Sequence, residues 1–309
     1  MKAMTNIFWN ITQNRLRAGW RFFLYFILFV MLTIAKDALV GFSRSAPFPK
    51  ALAYLIYLAG GLTLTWGMGH FIDKRRFADF GFHFDRKWWL DLGFGLMLGA
   101  FLMTGIFLSM KWAGWILVTG HASAASGLPL SLAFLLQALM FTVIAINEEI
   151  AFRAYQLKNL AEGFAGKYLN SNTAMLLAFF FSSALFGLSH MANGHATVFS
   201  VLTTLLAGLL LSLPYMLIGE LGLSIGLHLT WNLLQANVYG FAVSGSTQST
   251  HLLSIEVAGP VAWTGGAYGP EVGLIGLIWA LIGCGLIVLW VKLLPKKTGL
   301  HMPPTGRNT

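Results

Sequence analysis

Charge is what this chain has least of. Asp, Glu, Lys and Arg make up 10% of the 309 residues against 57% hydrophobic ones, and the mean hydropathy is +0.70. One soluble domain cannot bury that much apolar surface, so the composition points to a polytopic membrane protein. Cysteine is nearly absent: Cys284 alone excludes an intrachain disulfide, a CxxC motif and a cysteine-built metal site. Acids are scarcer than bases, 11 against 20, for a formal charge of +9. On a membrane chain that balance reflects lysines and arginines that fix loop orientation. No basic patch interleaves with aromatics, which argues against nucleic acid. Repeats, heptads and low-complexity segments are missing as well. Nothing like a small-residue cleavage site promptly follows the basic N-terminal stretch, so the first apolar run reads as a retained span.

What is present is a series of eight apolar runs of roughly 20 residues, the length that crosses a bilayer as helix. They lie near 22–40, 52–72, 89–110, 130–155, 173–191, 198–218, 223–241 and 272–294. The expected fold is therefore all-α, a polytopic bundle of about eight transmembrane helices forming one integral domain over 1–309. Its motif-bearing core covers about 128–241. Lys36 and Asp37 fall inside the first run, where an interfacial snorkel is the plain structural reading. Sixteen of the 20 basic residues, among them Lys2, Arg15, Arg21, Arg75, Lys158, Lys167, Lys296, Lys297 and Arg307, lie in four segments that an eight-span chain puts on one side. The opposite loops carry only Arg44, Lys50 and Lys111, so both termini are expected in the cytoplasm. The loop 242–271 resembles a soluble excursion, with Trp263 and Tyr268 placed to rest on the interface.

The chain is organised around 145–155, AINEEIAFRAY, where Glu148, Glu149 and Arg153 interrupt an apolar run. An ionised side chain at bilayer depth costs about 2.5–3.5 kcal/mol on insertion scales, which makes such acids functional hypotheses by default. Three further polar groups could meet them. His190 follows Phe186 by four residues at the end of the fifth run, and His228 and Asn232 share a face of the seventh at i and i+4. Singly, each is more simply a hydrogen-bonded core residue or interhelical glue; together on three spans they suggest a site. With a rise of about 1.5 Å per residue, Glu148 and His190 stand roughly 22 and 27 Å from their common turn. His228 lies about 10 Å from its end, so the heights agree if the fourth and fifth helices project about 12 Å beyond the membrane. The polar segment 153–167 is expected to be that projection.

Glu148-Glu149-x-x-x-Arg153, Phe186-x-x-x-His190 and His228-x-x-x-Asn232, in this order, resemble the three motifs of the CPBP family, the CAAX-protease and bacteriocin-processing intramembrane proteases also called Abi proteins. The resemblance covers about 136–235. It implies that Glu148 and His190 activate a water, and that His228 and Asn232 bind the developing oxyanion. It also implies a peptide or protein substrate, with or without a lipid, and a place in the bacterial inner membrane. The chemistry is consistent with that: peptide hydrolysis needs a base, a proton donor for the leaving amine and donors aimed at the carbonyl oxygen. Arg153 is expected to pair with Glu149 at i+4.

No HExxH is present, against a zincin-like or site-2-type metalloprotease. No GxGD-type aspartate lies in a span, and Ala125-Ser126-Gly127 only faintly resembles a rhomboid serine loop. A metal-free reaction is expected. The alternative is zinc on Glu148, His190 and His228 with Glu149 as base, although Ser189, Thr230 and backbone carbonyls are the only second-shell acceptors legible near the two histidines. The competing class is a transporter, immunity or scaffold protein whose polar cluster binds an ion or holds helices together.

Overall fold

The computed structural model describes residues 7–11, 13–43, 46–124, 127–165 and 168–293. Lys2, Arg44, Ser126, Lys167, Lys296, Lys297 and Arg307 lie outside the described residues. Of the described residues, 73% are helical. A ribbon of β1 (Trp9–Asn10) and β2 (Arg15–Leu16) leads into α1 (Ala18–Phe42) and α2 (Pro47–Gly67), which runs on as a π-helix over Met68–Asp73. Next come α3 (Arg86–Trp112), β3 (Ile116–Ser123) and α4 (Leu130–Glu148). Helix α4 continues through a π-helical stretch, Glu149–Leu157, into α5 (Lys158–Phe164). Then follow α6 (Ser171–Ser189), α7 (Val198–Ile218), α8 (Gly222–Leu233), β4 (His251–Val257), α9 (Val261–Thr264) and α10 (Leu274–Leu293).

Seven helices among the described residues are long and apolar enough to cross a membrane, and the chain is an integral membrane protein. The eighth expected run is present but shorter: α8 and the π turn Leu234–Val238 that extends it end before Gly240, whose φ is +73°. The starts of the helices follow local chemistry. Asp85 caps α3 through Trp88 N at 2.7 Å, Asn170 caps α6 through Thr173 N at 2.9 Å, and Thr197 and Ser200 form a reciprocal box at α7.

Glycines let one pair of helices close up. A Cβ on Gly95 would stand 2.3 Å from the Leu223 carbonyl, and one on Gly226 2.4 Å from the Leu92 carbonyl. Helices α3 and α8 thus meet backbone to backbone, with Thr230 Oγ1 donating to Leu96 O at 2.9 Å. This small-residue packing is how membrane helices associate without a hydrophobic driving force between them. It fixes the helix that carries His228.

At the end of the bundle that holds the N-terminal ribbon, the helix that begins at Leu130 runs on to Phe164, and its polar residues pack against other segments of the chain. Lys158 and Asn159 are buried, because Glu162 on α5 is clamped by Arg15 at 2.7 Å, Arg21 at 2.6 Å and Arg75. Asp73 joins them, 2.5 Å from Arg21 and accepting from Tyr155 Oη at 2.5 Å. Three arginines that read as free orientation signals are thus partners of two acids, and the segment folds onto the bundle. Burial, followed by the repulsion of Arg21, holds the Arg15 guanidinium down at about 10.

At the other end, β3 and β4 pair antiparallel, Ile116 opposite Val257 and Ser123 opposite His251. Tyr268 does not rest at an interface but is 3% exposed. Nearby Glu271 accepts from Ser244 N at 2.6 Å and from Gln235, and burial pushes its carboxyl up to about 7.

Candidate active site

Helix α4 is regular up to Glu148, and the π-helix starts at Glu149, a geometry often found at functional sites. All nine residues of that stretch are buried. Two of its carbonyls find side-chain partners: Ser182 donates to Phe152 O, and Asn159 Nδ2 to Tyr155 O at 3.0 Å.

The two adjacent glutamates have different surroundings. The Glu149 side chain is fully buried and lies between two groups that can carry positive charge. Its Oε2 is 3.3 Å from Arg153 Nε, the expected i+4 ion pair, and its Oε1 is 2.8 Å from His228 Nδ1. Arg153 is held in turn by Ser212 Oγ at 3.2 Å and Gly208 O at 3.4 Å, with its guanidinium 4.3 Å from the Phe186 ring centre. A buried ion pair has to recover its desolvation cost through such additional contacts. Glu148, by contrast, keeps 22% of its side chain exposed, and its Oε2 lies 3.8 Å from His228 Nε2.

A carboxylate only accepts, so the bond to Glu149 places a proton on His228 Nδ1. Nε2 is then the atom turned toward Glu148. It donates only when the ring is an imidazolium. His190 closes α6, and its Nδ1 is 2.7 Å from the Phe186 carbonyl, which likewise leaves a lone pair on Nε2 of the neutral ring. Phe186 links the two histidines, with ring centres 4.6 Å from His190 and 6.3 Å from His228. Among the described residues His190 makes no hydrogen bond or ion pair to either glutamate. Asn232, half-buried one turn beyond His228, makes no side-chain hydrogen bond among them.

The six sequence-derived residues therefore divide. Glu148, Glu149, Arg153 and His228 form one connected group; His190 is joined to it through Phe186, and Asn232 through the shared helix. Gly208 and Ser212, the contacts of Arg153, were not anticipated, although two small residues at i and i+4 in a span are a readable interface signal. The second-shell expectation also needs correction. His228 uses Glu149 and not Thr230, whose hydroxyl is taken by Leu96 O and Gly226 O. Among the described residues no group of three or more His, Cys, Asp or Glu side chains is gathered closely enough to hold a metal ion.

Searches of curated proteins and of solved structures find no match to this chain. Residues 129–234, roughly a third of the chain and the part that holds all six site residues, match the family model described as type II CAAX prenyl endopeptidase Rce1-like, in keeping with the CPBP/CAAX protease family and a peptide hydrolase.

Proposed function

We propose that this chain is an intramembrane endopeptidase resembling the CAAX prenyl proteases, and that it uses no bound metal. Glu148 takes a proton from a water that His190 orients, and the hydroxide attacks the scissile carbonyl carbon. Negative charge passes to the carbonyl oxygen, where the His228 imidazolium and the Asn232 amide donate to it. The C–N bond then breaks as the leaving amine takes the proton back from Glu148 or through His190. The observation that carries this reading is the contrast between the two glutamates: a buried Glu149 committed to Arg153 and His228, beside an accessible Glu148 only 3.8 Å from His228 Nε2.

The proposed setting is a single domain over 1–309 in the bacterial inner membrane, with both termini cytoplasmic. The partners are the bilayer and a peptide substrate with or without a lipid, and not nucleic acid. The test is turnover in reconstituted membranes. Glu148→Gln and His190→Ala each abolish it with insertion intact, since a base and its proton partner act as one unit. Asn232→Ala loses about 10²–10³ in rate, the value of one oxyanion donor. Full activity in the Glu148→Gln, His190→Ala double variant would mean that the site is misassigned.

A further inference from the structure

Among the described residues neither His190 nor Asn232 bonds to either glutamate, yet each rides on a segment that leads to Glu271. Gln235 lies three residues beyond Asn232, about one turn further along the same helix. Its fully buried Nε2 donates to one oxygen of Glu271 and, at 2.6 Å, to Ala242 O. The other oxygen of Glu271 accepts from Ser244 N at 2.6 Å. Ser244 and Gly245 form the tip of a tight turn closed by Ser246 N donating to Val243 O at 2.9 Å, with φ of +48° and +79°. A side chain is disfavoured at the first of these positions, and the bond from Ser244 N to Glu271 helps to hold it there.

That turn is pressed against the loop that follows His190. Asn193 N donates to His190 O at 3.1 Å, and a Cβ on Gly245 would stand 1.7 Å from Gly194 O. Glu271 therefore bridges the helix end beyond Asn232 and the turn packed on the His190 loop. It lies outside the matched residues 129–234. No cation offsets its charge, which rests on the two hydrogen bonds. Of the elements around it, α7 and the segments 239–250 and 258–269 carry no Asp, Glu, Lys, Arg or His; α10 has only Lys292, at its far end, and the loop 190–197 has His190 and His195. The hydroxyl of Tyr268, which feels the Glu271 charge, is kept neutral by burial.

Building on the function proposed above, we infer that Glu271 is a positioning residue for that reaction, its carboxylate setting the distance between His190, which orients the water, and Asn232, which donates to the oxyanion. Both of its bonds are charge-assisted, about twice as strong as neutral ones. Glutamine keeps the volume but offers one acceptor oxygen in place of two, so either Ser244 N or Gln235 Nε2 loses its acceptor. Protonation of Glu271 weakens both bonds in the same sense, and burial brings that proton on at about pH 7. The bridge is charged and tight above that pH, and neutral and slack below it.

The full-length chain in reconstituted membranes is assayed on a synthetic C-a-a-X peptide S-farnesylated on its cysteine. Glu271→Gln is expected to lower kcat by about ten- to hundred-fold, the cost of misplacing reacting groups, with KM unchanged and a melting temperature at pH 8 no lower than that of the wild type. The wild-type kcat is expected to rise as pH increases through about 7, and Glu271→Gln lacks that rise. Gln235→Met, which cuts only the helix arm of the bridge, lowers kcat in the same way and serves if Glu271→Gln does not fold. A wild-type kcat in Glu271→Gln, a loss confined to KM or tracking a lowered melting temperature, or an unchanged pH profile overturns the inference while the endopeptidase reading survives. A wild type that cleaves the peptide no faster than Glu148→Gln overturns the endopeptidase reading and the inference with it.

Discussion

The Glu149 carboxylate accepts the Nδ1–H of His228 at 2.8 Å. That bond ties the least accessible acid of the site to the histidine that faces the accessible one. Glu149 thus has two tasks: it neutralises Arg153, as expected from sequence, and it sets the tautomer and orientation of a ring on another helix. Residues that orient a functional histidine through its second nitrogen are often nearly as consequential as those that touch the reacting atoms.

Glu149→Gln tests this role. The amide keeps the volume but loses the charge that balances Arg153 and the acceptor-only group that fixes the proton on His228 Nδ1. Peptide turnover should fall by about ten- to hundred-fold, the usual cost of losing such a partner, without reaching the complete loss expected for Glu148→Gln. Steady-state kinetics on both variants in the same lipid decides it; an unimpaired Glu149→Gln would leave Glu149 with only its structural ion pair.

Gly226 tests how α8 is positioned. An alanine Cβ would meet the Leu92 carbonyl at 2.4 Å, which is backbone and cannot rotate away. Overpacking of this kind costs about 1–3 kcal/mol. The expected result is a lowered melting temperature in detergent with reduced turnover, since His228 and Asn232 ride on the displaced helix. Gly93, with open space around it, is the control: Gly93→Ala should leave both unchanged.

The spans, the three polar motifs and the Glu149–Arg153 pair were legible because each depends on local spacing, i to i+4 on one helix. What was not legible depends on contacts between distant segments. The polar run 153–167 does not reveal in sequence that Arg15, Arg21 and Arg75 meet Glu162 and Asp73 there. Tyr268 reads as interfacial until Glu271 and the neighbouring loops enclose it. The π-helix at Glu149 has no composition signal, and β3 and β4 form only because two loops far apart in sequence lie side by side. Gly95 and Gly226 were visible as letters, but their contact was not.

Glu271 makes a pH prediction. Its carboxyl is raised from 4.5 to about 7 by burial. A raised acid binds its proton more tightly when folded, so stability is highest below pH 4.5, falls as pH rises from there to about 7, and is level above. Thermal unfolding across pH 4–8 should show that decline, and Glu271→Gln should remove it. A slope unchanged in the variant would assign the titration to another group.

Orientation is tested by reporters. One fused after Lys297 is expected in the cytoplasm and one inserted near Ser246 outside, because the basic segments collect at the end of the bundle that holds the N-terminal ribbon. An external carboxyl terminus would reverse the placement of the site relative to both faces.

Metal independence is the remaining expectation, and the structure alters the grounds for it. A scarcity of second-shell acceptors no longer counts against zinc, since Glu149 supports His228 and the Phe186 carbonyl supports His190, each through Nδ1 in the manner of a metal-bound imidazole. Two other observations favour a glutamate-activated water. No three His, Cys, Asp or Glu side chains among the described residues are gathered closely enough to hold a metal ion. The glutamate that zinc chemistry would need as its base, Glu149, is buried against Arg153 and His228 with none of its side chain exposed. Purified enzyme of known metal content should therefore keep its activity after exhaustive chelation, with no gain from added zinc. Activity that disappears with the metal and returns with one equivalent of zinc would make Glu148 a ligand and not the base.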